Sequence, residues 1–445
     1  MRKLALPLAA ACWVAASPAY ATNGMRMIGF GPVQTSMGGV GVGATLDAGA
    51  LVSNPAGIVD QDRRLDLGLG LFVPKPSYAA TGTPVPPPFP PFIAEDGRRV
   101  RTDRGPSPIP FVGVVLPIRE DLKAGLALSA VAGMGVDYAS NLYSSDTLTS
   151  YLQGRLTPAI AYRFGNMFSA GVGANFMLAQ MEWDVASAFG QQRHDTATSL
   201  GIGGVAGVKL TPVPQVSFGA AYETQSYFAD FSFDVPAHPN PLNPLQTIPA
   251  FEEKLTFHQP AVATVGVAVR PLAGAGPGPL VIAADVEWIN WSATNGLAQP
   301  AFTDESLDPT SGGAFTRAGS MTWNLHWTDQ WVFKIGAQLE PARHVKVRAG
   351  YNYGKNPLRA DRAFENMAFP AVQEHHITAG AGIDVTDRLA INVTGMYAPP
   401  SSISGSNPNL PAGTPGYPGP FGQGIQSYST RMYQWEIDAG LAWRF

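Results

Sequence analysis

Eight cationic or titratable side chains fall on one side of segments that alternate apolar with polar: Arg155, Arg163, Lys254, His258, Lys334, Lys346, Arg348 and His376. A guanidinium or ammonium held away from bulk water pairs well with a carboxylate. Arg348, Lys254, Lys334 and Arg155 are the candidates for such a contact. The same side also receives Glu223, Asp285, Glu287, Glu340, Asp384, Glu436 and Asp438, so ion pairs within a polar interior compete for every one of these cations. Met177 and Met181 point the same way. Their thioethers suit an adaptable apolar pocket, and packing against an internal segment is the alternative. No metal or nucleophile pattern is present: His375 and His376 are adjacent in a strand and face opposite sides. Serines and histidines are too scattered to nominate a triad. The chain therefore reads as a protein without cofactor or metal, and not as an enzyme.

These side chains need a scaffold that separates two faces. Val345, Val347, Ala349, Tyr351 and Tyr353 oppose His344, Lys346, Arg348, Gly350 and Asn352, and similar period-two runs recur along the chain. Strands are expected at roughly 64–74, 108–118, 121–136, 153–164, 167–183, 196–210, 214–232, 251–270, 278–291, 327–340, 343–355, 372–385, 388–398 and 427–445. Fourteen is an even number, as a single-chain bacterial barrel requires. The expected connections alternate short and long, with long ones at 75–107, 137–152, 184–195, 233–250, 292–326, 356–371 and 399–426. Short turns on one rim and long loops on the other mark a transmembrane antiparallel barrel with lipid outside and a polar lumen.

Composition agrees. Charged residues make up only 14% of the 445, and 49 glycines with 40 prolines disfavour long soluble helices. A net charge of −4 argues against a nucleic-acid partner, and 45% hydrophobic content against disorder. Residues 1–21 read as a secretory signal, with Arg2 and Lys3, a short apolar run, and Ala19-Tyr20-Ala21 before the cut. The only cysteine, Cys12, lies inside it, so no disulfide or thiolate site is expected in the mature chain. The aromatic carboxy-terminal strand, Gln434 to Phe445, resembles the assembly signal of bacterial outer-membrane barrels, which places the protein in the outer membrane of a Gram-negative cell. Residues 22–63 are too short and too glycine-rich for a domain of their own. With only Arg26 and Asp47 charged between Thr22 and Val59, they are expected to fill the barrel 64–445 as a hatch.

At these residues the chain resembles the FadL/TodX family of outer-membrane long-chain fatty-acid and hydrocarbon transporters. The resemblance rests on the glycine run Met37–Gly43, on Leu46-Asp47-Ala48 and on Asn54-Pro55-Ala56-Gly57. His258-Gln259-Pro260, Trp288-Ile289-Asn290-Trp291-Ser292 and Arg348-Ala349-Gly350-Tyr351 add to it, and favour Arg348 and Lys254 among the cations. It implies passive, monomeric uptake of a hydrophobic small molecule, most readily a long-chain fatty acid. Capture by external loops, hatch rearrangement and lateral exit into outer-membrane lipid near a kinked third strand would follow in turn. Gly125, Gly133 and Gly135 in that strand are the gate candidates, and Asn54, Pro55, Ala56 and Gly57 belong to the hatch. Uptake of aromatic or alkane hydrocarbons by the same route, and a general diffusion porin, are the alternatives. Loops 137–152 and 184–195 are short for the family, so ligand identity does not carry over.

Overall fold

Alternation closes the sheet on itself. The computed structural model describes residues 23–82, 97–138, 147–187, 190–240, 243–272, 279–298, 325–363, 366–406 and 425–445. The signal at 1–21 and the proline run at 84–92 lie outside the described residues. Fourteen antiparallel strands form the barrel, each paired to its sequence neighbour. They are β1 Arg64–Gly82, β2 Ser107–Pro117, β3 Leu122–Tyr138, β4 Thr147–Phe164, β5 Phe168–Ser187, β6 Gly190–Val213 and β7 Val216–Glu223. The second half runs β8 Val262–Val269, β9 Leu280–Ile289, β10 Gln330–Ala342, β11 Val345–Gly354, β12 His375–Asp384, β13 Leu389–Ser406 and β14 Ile425–Arg444. β14 returns to β1, Arg64 opposite Arg444, and leaves no edge along that seam.

The faces are inverted relative to a soluble sheet. Leu67, Leu69 and Leu71 on β1 and Ile437 and Leu441 on β14 are exposed, whereas Asp66, Glu436 and Asp438 beside them are buried. Such a surface is stable only with hydrocarbon against it. Trp443 and Phe445 stack 4.9 Å apart at the periplasmic rim, and Tyr397, Tyr433 and Trp331 stand outward near the other end, as interfacial aromatics do.

Three expectations need correction. The run 251–270 is two strands: residues 251–255 pair with 231–235 in a hairpin beyond the barrel, and the wall resumes at Val262. Pro260 has no N–H for the ladder, and the chain breaks just before it. The run 214–232 is interrupted after Glu223, and Tyr227 and Phe228 pair again with β6 before the chain leaves the wall. Finally, 184–195 is no open loop, because β5 and β6 stay paired up to Ser187 and Gly190.

Residues 23–63 lie inside the barrel and are nearly all buried. A short helix α1 (Gly31–Ser36), a turn α2 (Ala50–Ser53) and a 3-10 turn (Pro55–Asp60) are strung together by backbone contacts to the wall. Thr378 accepts the Gly38 N–H and donates to the Ser36 carbonyl, and Thr394 donates to Pro32 O at 2.6 Å. Asp285 of β9 accepts the N–H groups of Gly41, Val42 and Gly43 at 2.8, 2.9 and 3.1 Å. A side chain at Gly38 would be impossible: φ is +70° and a Cβ would sit 2.7 Å from the Tyr351 nitrogen.

Candidate functional site

The site is built from three parts: a buried aromatic cluster, the amino-terminal segment beneath it, and a break in the wall. The cluster draws its side chains from many strands. Tyr78, Tyr138, Tyr151, Met177, Met181 and Trp183 come from β1, β3, β4 and β5, and Phe257, Trp291 and Trp327 from the extracellular connections; all are buried. Rings meet edge to face at 4.8 Å (Tyr78–Tyr138) and 5.0 Å (Trp291–Trp327). Aromatic faces and thioethers in this density accept flat apolar molecules.

The floor is held by ions that satisfy one another. Arg26 donates to Glu223 at 2.9 Å, and Arg155 to the other oxygen of the same carboxylate at 2.6 Å. Arg155 also lies 5.5 Å over the Phe30 ring. Lys334 pairs with Glu287 at 3.0 Å. Between these groups, Met27 and Val262 remains a cavity of about 40 Å³, room for a few waters and far too small for a hydrocarbon. Glu223→Gln would leave two buried guanidiniums with a neutral acceptor, a loss of about 3–5 kcal/mol for a broken buried pair. The expected result is a lower temperature for loss of the folded band on an unheated-sample gel; an unchanged temperature would contradict the assignment.

Below the floor lies an open mouth of about 500 Å³, lined by Thr45, Asp60, Gln61, Arg64, Arg163, Lys209 and Arg270. Asp60 ends the 3-10 turn and is clamped by Arg163 and Lys209, both at 2.6 Å. An apolar solute entering this mouth would displace water from charges without replacing its hydrogen bonds. Asp47, in the segment above, is fully buried, and burial with repulsion from Asp66 pushes its carboxyl up to about 7. Between about pH 4 and 7 the folded chain thus keeps a proton that the unfolded chain releases. Stability from this group falls as pH rises through that window. Asp47→Asn is expected to flatten the slope, read by unfolding midpoints across the window; an unaltered slope would show that Asp47 is ionised throughout.

The break lies between β2 and β3. Their pairing runs from Pro117–Lys123 to Phe111–Ser129 and stops there. Above it β3 bulges, its register against β4 shifting between Ala130 and Ala132, and residues 129–136 are buried on both faces. The amino-terminal segment takes the place of β2: Met27 N–H donates to Val131 O at 3.1 Å and Gly133 N–H to Met25 O at 3.0 Å. Facing this stretch, β2 and its approach read Gly105-Pro106-Ser107-Pro108-Ile109-Pro110. Three prolines in alternation withhold three donors, so this edge has little to offer a partner strand. Phe111 and Tyr138 bound the break from inside, and Arg104 crosses it to the carbonyls of Val136 and Thr149.

The sequence-derived candidates distribute unevenly. Arg155, Lys334, Met177 and Met181 face the lumen, the cations in ion pairs and the methionines in the aromatic cluster. Arg348 lies inward near the periplasmic end, on Gln338 and Asn392. Lys254 is not in the lumen: it sits half-exposed in the external hairpin, 3.9 Å from Glu252, because the strand carrying it leaves the wall. Asn54 caps the 3-10 turn, accepting from Ala56 N and donating to the carbonyls of Val42 and Val208; Pro55 packs on β5 at Gly171. Ala56 accepts from Ser169, and Gly57 lies against Thr45. Gly133 and Gly135 lie in the bulged stretch, whereas Gly125 lies below it under Leu51. Arg26, Arg104 and the three prolines were not singled out. The alternating prolines were the available signal.

Known proteins share this fold. The toluene transporter TodX of P. putida superposes with a TM-score of 0.69 at 14% identity, covering 94% of this chain and 99% of that one. A FadL homologue from Pseudomonas aeruginosa gives 0.69 at 14% identity, with 95% and 100% covered. The toluene transporter TbuX of Ralstonia pickettii gives 0.63 at 16%, with 94% and 98% covered. Among curated proteins no sequence match is found. Residues 8–400 match the family described as outer membrane protein transport protein (OMPP1/FadL/TodX). With a fourteen-strand barrel and this wall, the chain belongs to the OMPP1/FadL/TodX family of outer-membrane transport proteins, which are channels and not enzymes.

Proposed function

We propose that this protein takes up neutral hydrophobic molecules, monoaromatic hydrocarbons foremost, across the outer membrane, with residues 23–63 acting as a hatch and the β2–β3 break as the exit. The observation that carries this reading is a buried cluster of rings and thioethers whose nearby cations, Arg155 and Lys334, are already engaged by Glu223 and Glu287. A carboxylate ligand would have to compete with those acids, whereas toluene asks for no counter-charge. Solved relatives described as toluene transporters support the same substrate class, against the long-chain fatty acid that the sequence first suggests. Transfer is driven by burial of apolar surface, about 25 cal/mol per Å², and a sideways exit never returns the solute to water.

The test is uptake of labelled toluene and labelled oleate by cells with and without the protein. Protein-dependent toluene uptake with oleate unaffected is expected. Oleate uptake alone would restore the fatty-acid reading, and uptake of small sugars with neither would make the protein a diffusion porin.

A further inference from the structure

Near its external rim the outer wall of the barrel, largely apolar among the described residues, carries a cluster of cations. On β14 the odd-numbered side chains face outward, and two residues beyond the exposed Tyr433 stands the exposed Arg431. Ser77 of β1 lies opposite Arg431, and opposite Arg101 on its other side. Opposed residues of an antiparallel pair share a face, so both arginines point outward around Ser77. Lys75, opposite Tyr433, is on that face as well. Arg99 completes the group: its guanidinium donates to Ser77 O at 3.2 Å and to Ser429 Oγ at 3.2 Å.

Two features separate this cluster from ordinary surface charge. Among the described residues, no carboxylate pairs with any of the four cations, whereas exposed Arg359 holds Asp361 at 2.7 Å and Arg119 holds Asp121 at 3.4 Å. The second feature is depth. From Trp443 to Tyr433 is ten residues, about 33 Å of strand and about 25 Å along the membrane normal at the usual tilt. That span matches the apolar band, so Arg431 stands just beyond the hydrocarbon at the level of the outer-leaflet headgroups. Leu71 and Ile437, both exposed, continue the same face toward the membrane centre, where acyl chains would lie.

We propose that Lys75, Arg99, Arg101 and Arg431 form a binding site for the phosphorylated headgroup of an outer-leaflet glycolipid, with its acyl chains against the wall below. Arginine forks match phosphate oxygens two at a time, and a headgroup held by its own acyl chains loses little freedom on binding. The site adjoins the wall break, since the segment carrying Arg101 also reaches β3 through the Asp103 N–H to Asp137 O. The bound lipid would therefore stand beside the exit.

The test uses the full chain purified in detergent, with bis-phosphorylated lipid A, the same lipid after enzymatic dephosphorylation, and inorganic phosphate as probes. Retention is read by native mass spectrometry. Wild type is expected to retain the phosphorylated lipid, and Arg101→Gln with Arg431→Gln to lose about tenfold in affinity, the scale expected for lost charge-assisted hydrogen bonds. Arg359→Gln is the control and should bind as wild type. Heat-modifiable gel migration establishes that each variant is folded. Equal retention of both lipids, or equal binding by the double variant, would overturn the site. Full displacement by inorganic phosphate at the lipid's own affinity would do so too, by showing a site for a soluble anion.

Discussion

Oxidation of Arg26→Cys with Ala132→Cys is expected to abolish hydrocarbon uptake, and a reductant to restore it. These residues face each other across the short antiparallel bridge between the amino-terminal segment and the bulge of β3. The flanking hydrogen bonds, Met27 to Val131 and Gly133 to Met25, make this the non-hydrogen-bonded kind of pair. Its Cα atoms are then about 4.5 Å apart, close enough for a disulfide. The bond would fix the segment where it now closes the break. The cavity of about 40 Å³ behind it is too small for a hydrocarbon, so passage by this route requires the segment to move. Arg26→Cys alone is the control, because it removes the ion pair to Glu223 without adding a lock. Uptake that survives complete cross-linking would show that solute passes by some other route.

Giving the β2 edge its donors back should close the wall permanently. Pro108→Thr with Pro110→Val restores two N–H groups and replaces two ring constraints by residues that favour strands. Each new backbone bond contributes about 0.5–1.5 kcal/mol, enough together to favour a zipped wall over the break by an order of magnitude. Uptake is expected to fall at least that far while the barrel becomes no less stable. Amide exchange at residues 130–136 would report the new pairing. Slowed exchange with uptake unchanged would remove the break from the transport route.

Most of the wall was legible because one rule, a period of two, applies to every strand of a lipid-facing barrel. Leu67, Leu69 and Leu71 against Asp66 and Phe72 could be assigned to their faces without any contact information. The same rule placed Arg155 and Lys334 inside. It could not show that Arg26 shares Glu223 with Arg155, because the amino-terminal segment has no period of its own. It also misplaced Lys254, since alternation continues through 251–255 after those residues have left the wall for an external hairpin. Pro260 marked that boundary. The break was hidden for a related reason. Glycine occurs in nearly every strand, so Gly133 and Gly135 were not distinctive, whereas three alternating prolines at 106, 108 and 110 withhold donors where the pairing with β3 stops.

The account turns on where the solute leaves. A photoreactive toluene analogue, equilibrated with outer-membrane vesicles containing the protein and then irradiated, records its path as labelled residues. Label on Ile109, Phe111 and residues 129–136, with Thr45, Gln61 and Lys209 left clean, is the result expected for exit through the wall. Label concentrated on the periplasmic mouth, with the β2–β3 break clean, would contradict it.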